Sequence, residues 1–128
     1  MNTSKKIVSR YKEQTEYRTK DGSMIRELMH SNVHNELGVK NQSLAEACVK
    51  PGMTTSLHKH HKSEELYHIV SGRGLMCLGS DKFAVEQGDS VCIPPGTEHC
   101  ITAVGDQELR ILCCCSPTYS HEDTELID

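Results

Sequence analysis

The chain has 128 residues, a net charge of −4 and 36% apolar residues, enough for one buried core and too few for two domains. With no basic stripe, four tyrosines, one phenylalanine and no tryptophan, a nucleic-acid partner is not expected. No apolar run approaches the ~18 residues of a membrane span, and the opening Met1-Asn2-Thr3-Ser4-Lys5-Lys6 has no apolar leader core, so a soluble, cytoplasmic protein away from the membrane is expected. Seven cysteines without a Cys-x-x-Cys pair read as reduced thiols rather than disulfide staples.

The first twenty residues are polar, with Tyr11 and Tyr17 as the only large anchors, and read as an arm or an edge strand outside the core. Asp21-Gly22 is a turn signal. The stretch 23–30 fits a short helix by propensity and a strand by the alternation of Ile25, Glu27 and Met29; periodicity leaves both open. From residue 42 the texture changes to short strands, at 42–49, 54–60, 64–70, 74–78, 82–86, 90–93, 98–103 and 108–115. They are broken at Pro51-Gly52, Ser71-Gly72, Gly79-Ser80-Asp81, Gln87-Gly88-Asp89, Pro94-Pro95-Gly96 and Gly105-Asp106. Strands every eight to twelve residues with such breaks argue for an all-β sandwich or barrel. Residues 1–40 are expected to pack on this barrel as an arm and edge strands, 41–117 to form it, and 118–128 to run along its outside as a polar tail.

Two segments carry chemistry. The first reads Gly52-x5-His58-x-His60-x4-Glu65-x6-Gly72, the second Gly88-x5-Pro94-x-Gly96-x2-His99. Alternation along a strand presents His58 and His60 to one side. The stretch 61–63 reverses the chain, Glu65 can point back at the pair, and a closed barrel is expected to set the strand of His99 opposite the first two. Three imidazoles and a carboxylate suit one divalent transition metal, iron, manganese, nickel or zinc. The six-residue spacing to Gly72 selects Glu65 over Glu64. His34, His61, His68 and His121 are set aside as surface residues.

These motifs resemble those of the cupin superfamily, G-x5-H-x-H-x(3,4)-E-x6-G and G-x5-P-x-G-x2-H-x3-N, at nine of ten defined positions. Ala103 stands where the pattern has asparagine, which takes one hydrogen-bonding group from the pocket wall. The resemblance implies a double-stranded β-helix (the jelly-roll or cupin barrel), often a homodimer, with one divalent metal on the inner face. The ending 113–124 is similar to the tail of small single-domain cupins of bacteria and archaea, and it points to no substrate.

Around the metal, Tyr67 shares a strand face with Glu65 and is either a pocket hydroxyl or a core filler. Cys113 and Cys115 face the interior if the loop after Ala103 spans five residues; a two-residue hairpin at Gly105-Asp106 would turn Arg110, Leu112 and Cys114 inward instead. Buried cysteines there are packing groups or soft ligands. Arg26, Arg73 and Arg110 are candidates to pair a substrate carboxylate. The reading is a metal-binding cupin acting on a polar small molecule, carboxylate- or sugar-like, by dioxygenase, decarboxylase, lyase or isomerase chemistry. A non-catalytic metal- or ligand-binding sensor module is the alternative.

Overall fold

A computed structural model describes residues 7–127. Eleven strands occur among them: β1 (Glu16–Arg18), β2 (Met24–Met29), β3 (Ser43–Val49), β4 (His58–His60), β5 (Glu64–Ser71), β6 (Arg73–Leu78), β7 (Asp81–Glu86), β8 (Ser90–Ile93), β9 (His99–Val104), β10 (Leu109–Ser116) and β11 (Thr124–Leu126). Short 3-10 turns at Tyr11–Glu13 and Asn35–Leu37 are the helical elements, and no described helix is long and apolar enough to cross a membrane. The strands form two antiparallel sheets, ordered β1-β2-β3-β10-β5-β8 and β11-β4-β9-β6-β7. This is the double-stranded β-helix.

The open choice at 23–30 resolves to strand. Met24–Met29 lies along β3 in register from Met24↔Cys48 to Glu27↔Ala45, and tertiary pairing overrides a helical propensity that eight residues cannot exploit alone. Strand β4 is shorter than 54–60, because Thr54 makes only an isolated bridge to Thr102. The tail contributes β11, which pairs Thr124 with His60 and Leu126 with His58.

Alternation sets the core. On β5, Glu65, Tyr67 and Ile69 are buried while Leu66, His68 and Val70 are exposed. On β10, Leu109, Ile111, Cys113 and Cys115 are buried and their neighbours are not. The register with Cys113 and Cys115 inward is therefore the one formed, with the loop between β9 and β10 covering residues 105–108. Ile69, Met76, Ile101, Leu109 and Ile111 close one end of the interior with almost no exposure, and Ile93, paired with Glu65, is buried at the other. Each such side chain contributes about 1.5–3 kcal/mol by leaving water. Gly72 is required where β5 passes to β6: its φ is +88°, and a Cβ there would lie 2.6 Å from the Glu108 carbonyl oxygen.

Candidate metal centre

The two sheets meet at the other end of the interior. His58 and His60 come from β4 and His99 from β9, the neighbouring strand of the same sheet, paired directly as His58↔His99. The strand of His99 thus lies beside that of His58 rather than opposite it. The stretch 61–63 does not close a hairpin; it carries the chain across to the other sheet, so the strand that faces the histidines is β5 with Glu65. The Pro94-Pro95-Gly96 turn is tied to β4 by the Gly96 amide donating to the His60 carbonyl (2.7 Å).

The rings stand close, with centroids 4.2 Å apart for His58–His99, 5.2 Å for His58–His60 and 5.5 Å for His60–His99. All three are buried. Each ring is oriented through Nδ1. His58 Nδ1 donates to the Ser56 carbonyl (2.8 Å) and His99 Nδ1 to the Thr97 carbonyl (3.0 Å). His60 Nδ1 donates to Thr124 Oγ1 (2.9 Å), whose own proton goes to the Ser120 carbonyl (2.8 Å). A proton on Nδ1 leaves Nε2 as a lone pair in each neutral ring.

Those lone pairs point into one space. One ligand atom from each of His58, His60 and His99 lies within 4.8 Å of the others, a set that could hold a metal ion. Glu65 Oε1 stands 3.2 Å from His60 Nε2 and 3.5 Å from His99 Nε2, yet all three atoms are buried without a hydrogen-bond partner. Acceptors converging without donors leave room for a cation, and the donor set fits a divalent transition metal. Burial alone would raise the Glu65 carboxyl; when the His60 and His99 rings carry a proton on Nε2 in place of a cation, their hydrogen bonds and charge outweigh burial and hold it down at about 2. His58 is pushed below its usual range by burial and by His99. Cys115, whose thiol burial and the Glu65 charge keep protonated, donates to Glu65 Oε2 (3.5 Å).

Tyr67, Cys113 and Cys115 line the cavity beside these groups. The Tyr67 ring stands edge-on to His99 at 6.1 Å, and burial pushes its hydroxyl well up, so it remains a proton-bearing group. The cavity offers about 40 Å³ to water centres, room for roughly three waters. Glu64 is exposed. Arg26, Arg73 and Arg110 are absent from the wall; Arg26 and Arg110 pair with Glu46 at 3.8 and 3.1 Å. Ala103 packs in the apolar core instead of on the cavity wall.

Several wall residues escape a reading of the motifs. Tyr17, Asp21 and Glu27 arrive from β1, β2 and their turn, and Tyr119 from the tail. Tyr17 donates to Glu27 Oε2 (2.8 Å), and Glu27 Oε1 is buried without a partner. His34 departs from its assignment to the surface, being 5% exposed: its Nδ1 accepts the His30 amide and its Nε2 donates to Gln14 Oε1. His30 in turn donates from Nε2 to the Tyr119 carbonyl (2.8 Å), which holds the tail over the cavity. His61, His68 and His121 are exposed.

With barrel and histidine cluster in place, the family follows: residues 45–115 match the model of the cupin domain, and the chain belongs to the cupin family. It is 54% identical, over the whole length of both chains, to the uncharacterized protein MJ1618 of Methanocaldococcus jannaschii. Among solved structures it is similar to Pac13, a nucleoside dehydratase of Streptomyces, with TM-score 0.77 and 16% identity over 95% of this chain and 91% of that one. It is also similar to a predicted oxalate decarboxylase of Thermotoga maritima, with TM-score 0.73 and 23% identity over 86% and 98%. At these identities the two structures speak for the fold alone.

Proposed function

We propose that this cupin binds one divalent transition metal (iron, manganese, nickel or zinc) through His58, His60, Glu65 and His99, and acts as a metalloenzyme on a small polar molecule. The observation that carries the reading is the set of buried acceptors, His60 Nε2, His99 Nε2 and Glu65 Oε1, facing one another unpaired. A bound metal of this class would polarise a substrate oxygen or lower the pKa of a water, chemistry common to lyases, isomerases, decarboxylases and dioxygenases. The chain's own part is to hold that oxygen near Tyr67, whose proton stays on, and to exclude bulk water behind Tyr119. The wall carries Asp21, Glu27 and Glu65 and no lysine or arginine, so a hydroxyl- or carbonyl-bearing, sugar-like ligand suits it better than a free carboxylate.

Reconstitution with each metal, with and without air, against a panel of diols, sugars and enolisable acids tests this. Turnover of at least one hydroxyl-bearing compound is expected, lost in His99→Ala. The limited free volume favours a second reading, a non-catalytic metal-binding module, which predicts metal uptake with no turnover anywhere in the panel.

Two further features belong to this proposal. The outer face of the six-stranded sheet carries a row of Leu44, Cys114, Leu66 and Cys92 across β3, β10, β5 and β8, with Leu66 47% exposed, as a homodimer contact would need. Light scattering of Leu66→Asp against the parent chain reads this directly. All seven cysteines are free, which suits a reducing cytoplasm.

A further inference from the structure

The turn between β1 and β2 brings a second carboxylate to the histidines. Asp21 is 9% exposed although it sits in a turn. The turn is closed by Thr19 N to Ser23 O and Gly22 N to Thr19 O, both 3.0 Å, with Gly22 at φ +92°. One Asp21 oxygen is fully engaged: Oδ1 accepts the Ser23 amide (2.9 Å) and the Ser23 hydroxyl (2.7 Å). That grip aims Oδ2 at His58 Nε2, 3.6 Å away. The Asp21 carbonyl meanwhile accepts the Ser56 amide (2.7 Å), and the Ser56 carbonyl accepts the His58 Nδ1 proton. Carboxylate and ring are therefore held through the same residue.

The contact is of the same kind as that at Glu65, with one ring in place of two. With its proton on Nδ1, His58 presents a lone pair from Nε2, and a carboxylate oxygen offers another. Two acceptors gain nothing from meeting at this distance in a buried cavity unless a cation lies between them. No lysine or arginine lines the cavity to serve as counter-ion to Asp21. Two donor atoms bound at right angles to one ion at ~2.1 Å lie ~3 Å apart. The separations at His60–Glu65, His99–Glu65 and His58–Asp21, 3.2, 3.5 and 3.6 Å, are all within a short adjustment of that value.

We propose that Asp21 is a fifth ligand of the metal centre, completing on the His58 side what Glu65 provides on the side of His60 and His99. The inference rests on the metal-centre reading above and changes its consequences. Two carboxylates neutralise a divalent ion, where one leaves a net positive charge in a buried space. Five protein ligands would leave a six-coordinate ion one position, so a substrate would bind through a single oxygen rather than as a chelate. Three nitrogens and two carboxylates also favour harder ions such as manganese or iron over thiophilic ones.

Chelator-competition titrations with Mn(II) alone, and visible spectra with Co(II) alone, test this on the full chain. Asp21→Ala and Asp21→Asn should each weaken Mn(II) binding at least about tenfold and alter the Co(II) spectrum. Ser23→Ala, which loosens the grip but keeps the carboxylate, should weaken binding less and leave the Co(II) spectrum close to that of the parent. If Asp21→Ala fails to fold, Asp21→Asn, which can still accept from Ser23, decides the matter. Parental affinity and an unchanged Co(II) spectrum in Asp21→Asn, with His58→Ala still losing the metal, would make Asp21 a turn anchor only. Unchanged binding in His58→Ala as well would remove the metal centre along with the fifth ligand.

Discussion

Strands β5 and β9 each run the length of the barrel interior, and their two ends are built on different terms. At one end β5 gives Ile69 and β9 gives Ile101 and Ala103, packed among Met76, Leu109 and Ile111. At the other the same inward faces give Glu65 and His99. Burial does not distinguish them: His99 and Ile69 are both 0% exposed. What differs is satisfaction. The apolar end is complete in its contacts, whereas the polar end keeps three buried acceptor atoms without partners, about four residues along the same strands. A buried polar cluster whose rings are pinned through Nδ1 and which keeps three inward atoms unpaired is organised for something other than packing.

That contrast can be broken from either end. The largest effect on stability is expected from Ile69→Ala, which should cost about 2–5 kcal/mol in denaturant unfolding and leave metal affinity within a factor of two. Loss of metal binding in the folded variant would show that the ends are not separable. Thr124→Val keeps the volume but removes the acceptor for His60 Nδ1. It should lower metal affinity about 10–100-fold with a smaller loss of stability, and equal affinity would mean that the ring is held by packing instead. Smallest is the acid response of the metal-free protein. The folded pKa of His58 lies below its unfolded 6.5, so the unfolded state takes up the proton first as pH falls. The stability this ring contributes is thus complete above pH 6.5 and declines below it, by at most about 1.4 kcal/mol per pH unit for one proton. Thermal melts of the parent and His58→Gln between pH 7.5 and 5 should diverge in that direction; parallel curves would contradict it.

The polar end was legible in the sequence only where its residues share a local rule. Alternation puts His58 and His60 on one face of β4, the spacing to Gly72 at the end of β5 selects Glu65, and Pro94 marks where β8 stops. The buried face of β10 was legible only as two alternatives, because a loop of residues 105–108 decides it. Asp21, Tyr17 and Tyr119 were not legible as wall residues. Their contact with the cavity depends on β2 pairing with β3 and on His30 gripping the tail, and long-range pairings leave no period in the chain. The carbonyls of Ser56 and Thr97 were equally silent, since every residue carries one; only the fold shows that both lie two residues before the histidine they hold. The place of His99 beside His58 required knowing that the chain changes sheet between β4 and β5.

The central claim is that these acceptors are the metal site, and elemental analysis of protein purified without a polyhistidine tag addresses it most directly. The parent chain should carry one transition-metal ion, and the double variant His58→Ala/His99→Ala, with a preserved circular-dichroism spectrum, should carry none. The parental metal content in that folded double variant would contradict the account.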